Sequence, residues 1–435
     1  MRVAVVGAGI SGLGAAWALH GRHAVTLYEA AGRLGGHSNT VEAAVGGRAI
    51  PVDTGFIVYN ETNYPNLVQL FRALEVATEP SDMSFAVSIG DGALEYSGTN
   101  LAGLIAQKRN LVRPRFWRMV GDILRFYRAA RALLAQPEPP DITLGAFLRQ
   151  GNYSAAFLDD HLLPMGAAIW STPVAEMLEF PLLSFARFLD NHGLLQLTDR
   201  PRWRTVTGGS REYVARIARA LGPDAIRPIA ASRIRRLPDS IELRDAAGEA
   251  RRYDHVVLAC HADQALGLLA DADPAERRLL GAFRFQTNRA VLHGDQALMP
   301  RRRAVWASWN YLAPDPAAAR SGAVAVTYWM NRLQNLDPAV PLFVTLNPPV
   351  EPDAALVHGV FDYEHPLYDL AAIRAQAEMA TIQGTRRTWF AGAWLGYGFH
   401  EDGLSSGLAI ARALGAPAPW QTEAARATPV LGAAE

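Results

Sequence analysis

Lysine is nearly missing from this chain. Lys108 is the one lysine in 435 residues, and every other basic side chain, histidines aside, is arginine. A Schiff-base or P-loop lysine therefore has a single candidate, with no motif around it. Cysteine is as scarce. Cys260 stands alone, which excludes an internal disulfide. No Cys/His cluster has zinc spacing, and no metal site is expected. Cys260 lies in an apolar run and reads as a small buried residue. Net charge is also missing: basic and acidic residues each number 42. Nothing marks a nucleic-acid binder. No apolar stretch reaches the ~20 residues of a membrane span. Val3 to Leu19 is uncharged, but it is rich in glycine and lacks a basic leader and a cleavage site. A secretory signal is therefore set aside, and a cytoplasmic location is expected. With 50% hydrophobic and 19% charged residues, the chain is globular, with one large core or two medium ones.

What the chain does have is glycine, clustered at both ends. Gly7-Ala8-Gly9-Ile10-Ser11-Gly12 follows the apolar run Val3-Ala4-Val5-Val6 and precedes a helical run, Leu13 to Leu19. This is the βα start of a dinucleotide fold. Gly7 permits the tight turn, Gly9 lets backbone approach a pyrophosphate, and Gly12 lets helix and strand pack closely. The next strand, Ala24 to Tyr28, ends at Glu29, 22 residues past Gly7. There a carboxylate can hold the ribose hydroxyls of an adenosine.

The chain continues Ala30-Ala31-Gly32-Arg33-Leu34-Gly35-Gly36-His37, then Val52-Asp53-Thr54-Gly55-Phe56-Ile57. Gly208-Gly209 precede a helical run, Tyr213 to Leu221. Tyr253 to Ala259 reads as a strand. Ala391-Gly392-Ala393-Trp394 and Gly398-Phe399-His400-Glu401-Asp402-Gly403-Leu404 form the C-terminal block. In this order the pieces resemble the flavin-containing amine oxidase superfamily, which includes monoamine oxidases, phytoene desaturases and protoporphyrinogen oxidases. The resemblance implies an α/β fold. A discontinuous Rossmann-type FAD-binding domain takes 1–60, 205–275 and 385–415. A substrate domain of mixed sheet plus helices takes 61–204 and 276–384.

The resemblance also implies FAD, and it implies which residues hold it. In the first half these are Gly7, Gly9, Ile10, Ser11, Gly12, Glu29 and Ala30, then Arg33, Leu34, Gly35, Gly36 and His37, then Gly55, Phe56 and Ile57. Later come Ile234, Ala259, Gly392, Ala393, Phe399, His400, Glu401, Gly403 and Leu404. Cys260 lies far from the C-terminal block, where some members attach flavin through cysteine, so non-covalent FAD is expected. A helix starting near Gly403 would point its N-terminus at the flavin's pyrimidine end. Two positions depart from the pattern: Ala31 and His37 stand where the family often has arginine. No second glycine fingerprint suggests an NAD(P)H domain. Electrons would leave to oxygen, a quinone or a carrier protein.

Helices are expected over 64–74, 116–134, 144–149 and 153–161. Strands are expected over 304–311, 323–329 and 342–346, flooring an apolar chamber. The segment 417–435, rich in Ala, Pro and Thr, reads as a disordered tail. In 108–134, Phe116, Met119, Val120, Ile123, Tyr127, Ala130 and Leu134 share a helical face. Eight cations from Lys108 to Arg131 crowd the rest, opposed by Asp122 alone. Two readings fit: a core helix with a solvated basic face, or an interfacial helix making peripheral membrane contact with anionic phospholipid. Trp309, Asn310, Tyr328 and Trp329 are substrate-pocket candidates, with ordinary core packing as the other reading.

A narrower resemblance spans nearly the whole chain. It is carried by His161-Leu162-Leu163-Pro164-Met165, Asn191-His192-Gly193, Leu292-His293-Gly294-Asp295, Ser308-Trp309-Asn310-Tyr311 and Tyr328-Trp329-Met330-Asn331. These look like a bacterial subgroup associated with cyclopropane-fatty-acid-synthase-like methyltransferases. That subgroup includes the methyl-branched fatty acid desaturases of furan fatty acid synthesis. It implies a fatty acyl or phospholipid substrate, dehydrogenated at an allylic C–H. The stretch Asn288 to Asp295 lacks the lysine that many amine oxidases place near the flavin, which argues against amine oxidation. His400, His293 and Asp295 are the candidate catalytic bases or orienters. A structural hydrogen-bonded pair is the other reading for His293 and Asp295. An amine or porphyrinogen oxidase and a non-redox lipid isomerase stay open.

Overall fold

A computed structural model describes residues 1–98, 101–170, 174–196, 201–315 and 325–421. Its first layer is a five-stranded parallel sheet, ordered Ile226–Arg227, Ala24–Tyr28, Arg2–Val6, His255–Leu258, Thr388–Phe390. Residues far apart in sequence lie side by side: Ala4 pairs with both Thr26 and Val256. The central strand is buried on both faces, as its unbroken Val/Ala run requires.

Two helices bring the chain ends together. Ile10–His20 packs against His400–Ala413. A methyl on Gly12 would stand 1.8 Å from Gly7 O, and one on Gly407 would stand 2.2 Å from Ser11 O. Only glycine permits this backbone-on-backbone contact.

The second layer is a seven-stranded sheet, ordered Val357–Leu367, Arg284–His293, Phe343–Leu346, Ala325–Trp329, Trp309–Ala313, Phe85–Ile89, Leu94–Ser97. Its pairings are antiparallel except that between Trp309–Ala313 and Phe85–Ile89. Helices Pro114–Leu134, Leu144–Gln150, Leu163–Trp170 and Leu182–Asn191 contribute to the core beside this sheet. The fold is α/β, with a Rossmann-like FAD-binding region and a mixed sheet-and-helix substrate region.

Several expected elements shift. The region expected as a strand from 304 starts as a 3-10 turn, Arg303–Val305, and the strand is Trp309–Ala313. The helix expected over 153–161 becomes Ala155–Phe157, a π-helical turn Leu158–Leu162, then Leu163–Trp170. Of the expected strand 323–329, residues 323 and 324 lie outside the described residues. Residues 417–421 are not a loose tail: Ala418 is buried and Trp420 stacks on Trp17 at 5.7 Å. The remainder, 422–435, lies outside the described residues. Among the described residues, no helix is long and apolar enough to cross a membrane.

Candidate active site

One continuous cavity of about 790 Å³ runs from the first glycine turn into the space beside the seven-stranded sheet. Gly7, Gly9, Ile10, Ser11, Glu29 and Ala30 line one end. Gly9 is the open side of the turn: a methyl there would meet no protein atom within 4 Å. Glu29 accepts hydrogen bonds from Ala8 N at 2.7 Å and Ala31 N at 2.8 Å, which fixes its carboxylate at the turn. Gly36, His37, Gly55, Phe56 and Ile57 line the adjoining wall, and Ala259, Gly392, Ala393, Phe399 and His400 the wall opposite in sequence. The two ends of the chain thus share one cavity.

The residues fit FAD. A bare glycine turn opens onto the cavity, a carboxylate follows at the second strand, and a helix N-terminus ends the wall. His37 Nε2 is buried on the cavity wall without a partner among the described residues. Burial and the neighbouring His365 hold the His37 imidazole well below its ordinary pKa.

Other expected contacts fall elsewhere. Gly12 packs the first helix, and Gly35 donates its N–H to Ala8 O at 2.8 Å. Arg33 is exposed, and Leu34 packs on the core of the parallel sheet. Ile234 is fully buried below the cavity and its carbonyl accepts from Ala270 N, while Ala230 and Ala231 provide the wall. The last helix begins at His400 rather than near Gly403. Gly403 and Leu404 pack against Ile10–His20. Glu401 does not reach the cavity. It accepts from Asn66 N at 2.9 Å and Leu67 N at 3.0 Å, capping the helix Pro65–Ala73, and burial raises its pKa.

Asp53 organises the site from beneath. It accepts from Thr40 Oγ1 at 2.6 Å, Ser210 Oγ at 2.7 Å and Ser210 N at 2.9 Å. These bonds tie the Asp-x-Gly strand to the Gly208-Gly209 turn. Burial still pushes its pKa up to about 6. Asp402 is part-buried and bonded by Tyr397 N and Phe399 N, and desolvation pushes it up to about 7.

The candidate bases separate. His400 stacks on Phe56 at 3.7 Å, and its Nε2 meets Ser38 Oγ at 2.9 Å and Tyr213 OH at 3.0 Å. Burial lowers its pKa to about 3. His293 and Asp295 do not line the cavity. His293 Nε2 meets Thr345 Oγ1 at 2.7 Å, and its Nδ1 accepts from Asp295 N at 3.1 Å. Asp295 caps the turn Gln296–Leu298. The two are thus joined through the Asp295 backbone, away from the cavity. Trp309 and Tyr328 line the cavity, edge to face at 4.9 Å. Asn310 instead braces its own turn through Ala307 and Thr327, and Trp329 packs on Trp306. Cys260 lies past the return strand on the cavity wall, and burial pushes its thiol up to about 12.

His192 was not singled out as a site residue by the sequence. It lines the chamber between Phe188, stacked at 3.9 Å, and Phe399, 5.3 Å away. Its Nδ1 lies 3.0 Å from Phe188 O. A carbonyl only accepts, so Nδ1 carries the proton and Nε2 is a bare lone pair. That Nε2 is buried with no partner among the described residues. Desolvation lowers the pKa of His192 to about 4. Asn191-His192-Gly193 helps carry the narrower resemblance, but neither its periodicity nor its spacing marks the histidine as a site residue.

Residues 10–415 match the flavin containing amine oxidoreductase family. The chain belongs to that family. It is therefore an FAD-dependent oxidoreductase with the amine-oxidase architecture. A comparison with curated proteins finds no match. Solved structures share the fold. A CLA-producing fatty acid isomerase from P. acnes is 17% identical, with TM-score 0.67, over 94% of this chain and 98% of that one. Cyclohexylamine oxidase from Brevibacterium oxydans IH-35A is 18% identical, with TM-score 0.65, over 95% and 99%. A putative protoporphyrinogen oxidase from Exiguobacterium sp. 255-15 is 16% identical, with TM-score 0.64, over 95% and 98%.

Proposed function

We propose that the chain dehydrogenates an apolar substrate, a fatty acyl chain, at a C–H bond held beside non-covalent FAD. The chamber lining supports this reading. Met83, Phe85, Met165, Ile169, Leu194 and Leu346 line it, and among the described residues no lysine, arginine or aspartate lines the cavity. Its two glutamates belong to the other end: Glu29 bonds the first glycine turn, and Glu364 pairs with His261 after the return strand. A charged substrate would lose its hydration there without a partner, whereas a hydrocarbon loses nothing.

Bound FAD supplies a two-electron centre that accepts hydride. The chain's own residues do the rest. Phe188, Phe399 and Trp309 shield the reacting carbon from water. Desaturation releases a hydride and a proton, and His192 Nε2 takes the proton. Loss of hydride beside a double bond leaves a strongly acidic carbocation, so a base of pKa about 4 is strong enough. The resemblance to methyl-branched fatty acid desaturases and the fold shared with a fatty acid isomerase agree with a lipid substrate.

A second reading, amine or porphyrinogen oxidation, is favoured by the family as a whole and by the shared fold of cyclohexylamine oxidase and the putative protoporphyrinogen oxidase. A neutral amine would also fit between Phe188 and Phe399. Product analysis separates the two. The FAD-loaded protein is incubated in air with phospholipid bearing a methyl-branched octadecenoyl chain, with cyclohexylamine and with protoporphyrinogen. An acyl product lighter by two hydrogens supports the first reading. Peroxide formed with the amine or porphyrinogen alone supports the second. An acyl product of unchanged mass with a moved double bond means isomerisation.

A further inference from the structure

We propose that the corner formed by Lys108–Val112 and the helix Pro114–Leu134 is a docking surface for an anionic phospholipid bilayer. Large apolar side chains gather there in the open. Val112 is 81% exposed, Trp117 47%, Leu111 44% and Leu124 44%. They form one patch. Trp117 Nε1 donates to Leu111 O at 2.8 Å, which holds the indole over the 3-10 turn. Leu124 follows Trp117 by seven residues, two helical turns along the same stripe. Exposed Gly121 between them leaves that stripe flat.

The cations sort into two groups. Arg109 and Arg113 bond Ala93 O, Arg115 pairs with Asp160, Arg125 with Asp122, and Arg131 bonds Leu195 O. These hold the helix to the protein. Lys108, Arg118 and Arg128 have no partner among the described residues and are exposed. Free cations beside an exposed tryptophan and aliphatic side chains match a bilayer surface, with phosphate at the rim and acyl chains below. Charge complementarity selects an anionic bilayer, because the chain as a whole carries no net charge. The same helix sends Tyr127 to the cavity wall, so docking would bring the chamber next to acyl chains. That purpose rests on the acyl-chain reading of the function; the docking itself does not.

The test is co-sedimentation of the FAD-loaded protein with vesicles of saturated phosphatidylglycerol and phosphatidylcholine, or of phosphatidylcholine alone. Saturated chains offer no site for desaturation, so the result reads docking and not turnover. The expected result is binding to anionic vesicles, weakened by added salt and weak on neutral ones. Arg118→Gln with Arg128→Gln lowers partitioning roughly thirtyfold, at ~1 kcal/mol per arginine. Val112→Ser with Leu124→Ser lowers it at least about fivefold. Flavin content and melting midpoint stay unchanged in both variants, because all four residues are exposed. Equal binding to neutral and anionic vesicles, no binding, or concentration-dependent self-association abolished by Val112→Ser would each overturn the proposal. The last would assign the patch to a second copy of the chain.

Discussion

Gly9 and Gly12 are three residues apart and play opposite parts. Gly9 has φ −71° and open space where a side chain would go, while a methyl on Gly12 would stand 1.8 Å from Gly7 O. Gly9→Ala is expected to fold with a near-unchanged apoprotein melting midpoint and to purify with little flavin. Gly12→Ala is expected to lower the midpoint itself. Melting curves and flavin absorbance check both. Asp53→Ala removes the acceptor for Thr40 and Ser210 in a buried place; a loss of about 2–4 kcal/mol is expected in denaturant titration. The glycine fingerprint was legible because backbone geometry admits so few residues. The roles of His192 and Glu401 were not, because each depends on a side chain meeting an element that lies far away in sequence.

Glu401 shows this at the scale of elements. It sits in the first turn of the last helix yet caps Pro65–Ala73, whose own N-cap, Tyr64, offers no side-chain bond. Glu401→Ala is expected to cost about 1–2 kcal/mol, with the flavin spectrum unchanged. A shifted spectrum would instead place Glu401 against the cofactor. Elements with strong local signals came through from sequence. The first strand and helix did, as did Pro114–Leu134, within two residues at its start. Its buried stripe turned slightly, with Phe126 and Leu133 inside and Tyr127 partly exposed. Apolar runs without alternation misled. Ala304 to Ser308 reads as strand but turns to seat Trp306 on Pro300 O. Leu158–Leu162 reads as ordinary helix but widens to a π turn, with Tyr96 OH bonded to Asp160 O.

Across the whole molecule, buried titratable groups set a pH dependence. Burial lowers His192, His293 and His365 to about 4 and His400 to about 3. Unfolded, each would titrate near ~6.5. Between those values the unfolded chain binds more protons, so stability falls as pH drops from about 6.5 toward 4. Asp53 and Asp402, raised to about 6 and about 7, act in the opposite direction. With His37 lowered and Glu401 raised as well, these shifted histidines still outnumber the shifted carboxylates, so the melting midpoint is expected to be lower at pH 5 than at pH 7.5. His293→Gln should flatten that slope by up to one proton, about 1.4 kcal/mol per pH unit. The same burial leaves His192 neutral and its Nε2 free to take a proton. The central claim is that this lone pair and the apolar chamber serve an acyl substrate beside FAD. Anaerobic mixing of the yellow protein with phospholipid carrying a methyl-branched octadecenoyl chain tests it most directly. The account predicts loss of the oxidised flavin band, slowed at least tenfold in His192→Gln with lipid binding retained. A flavin that stays yellow with the lipid and bleaches with cyclohexylamine would contradict it.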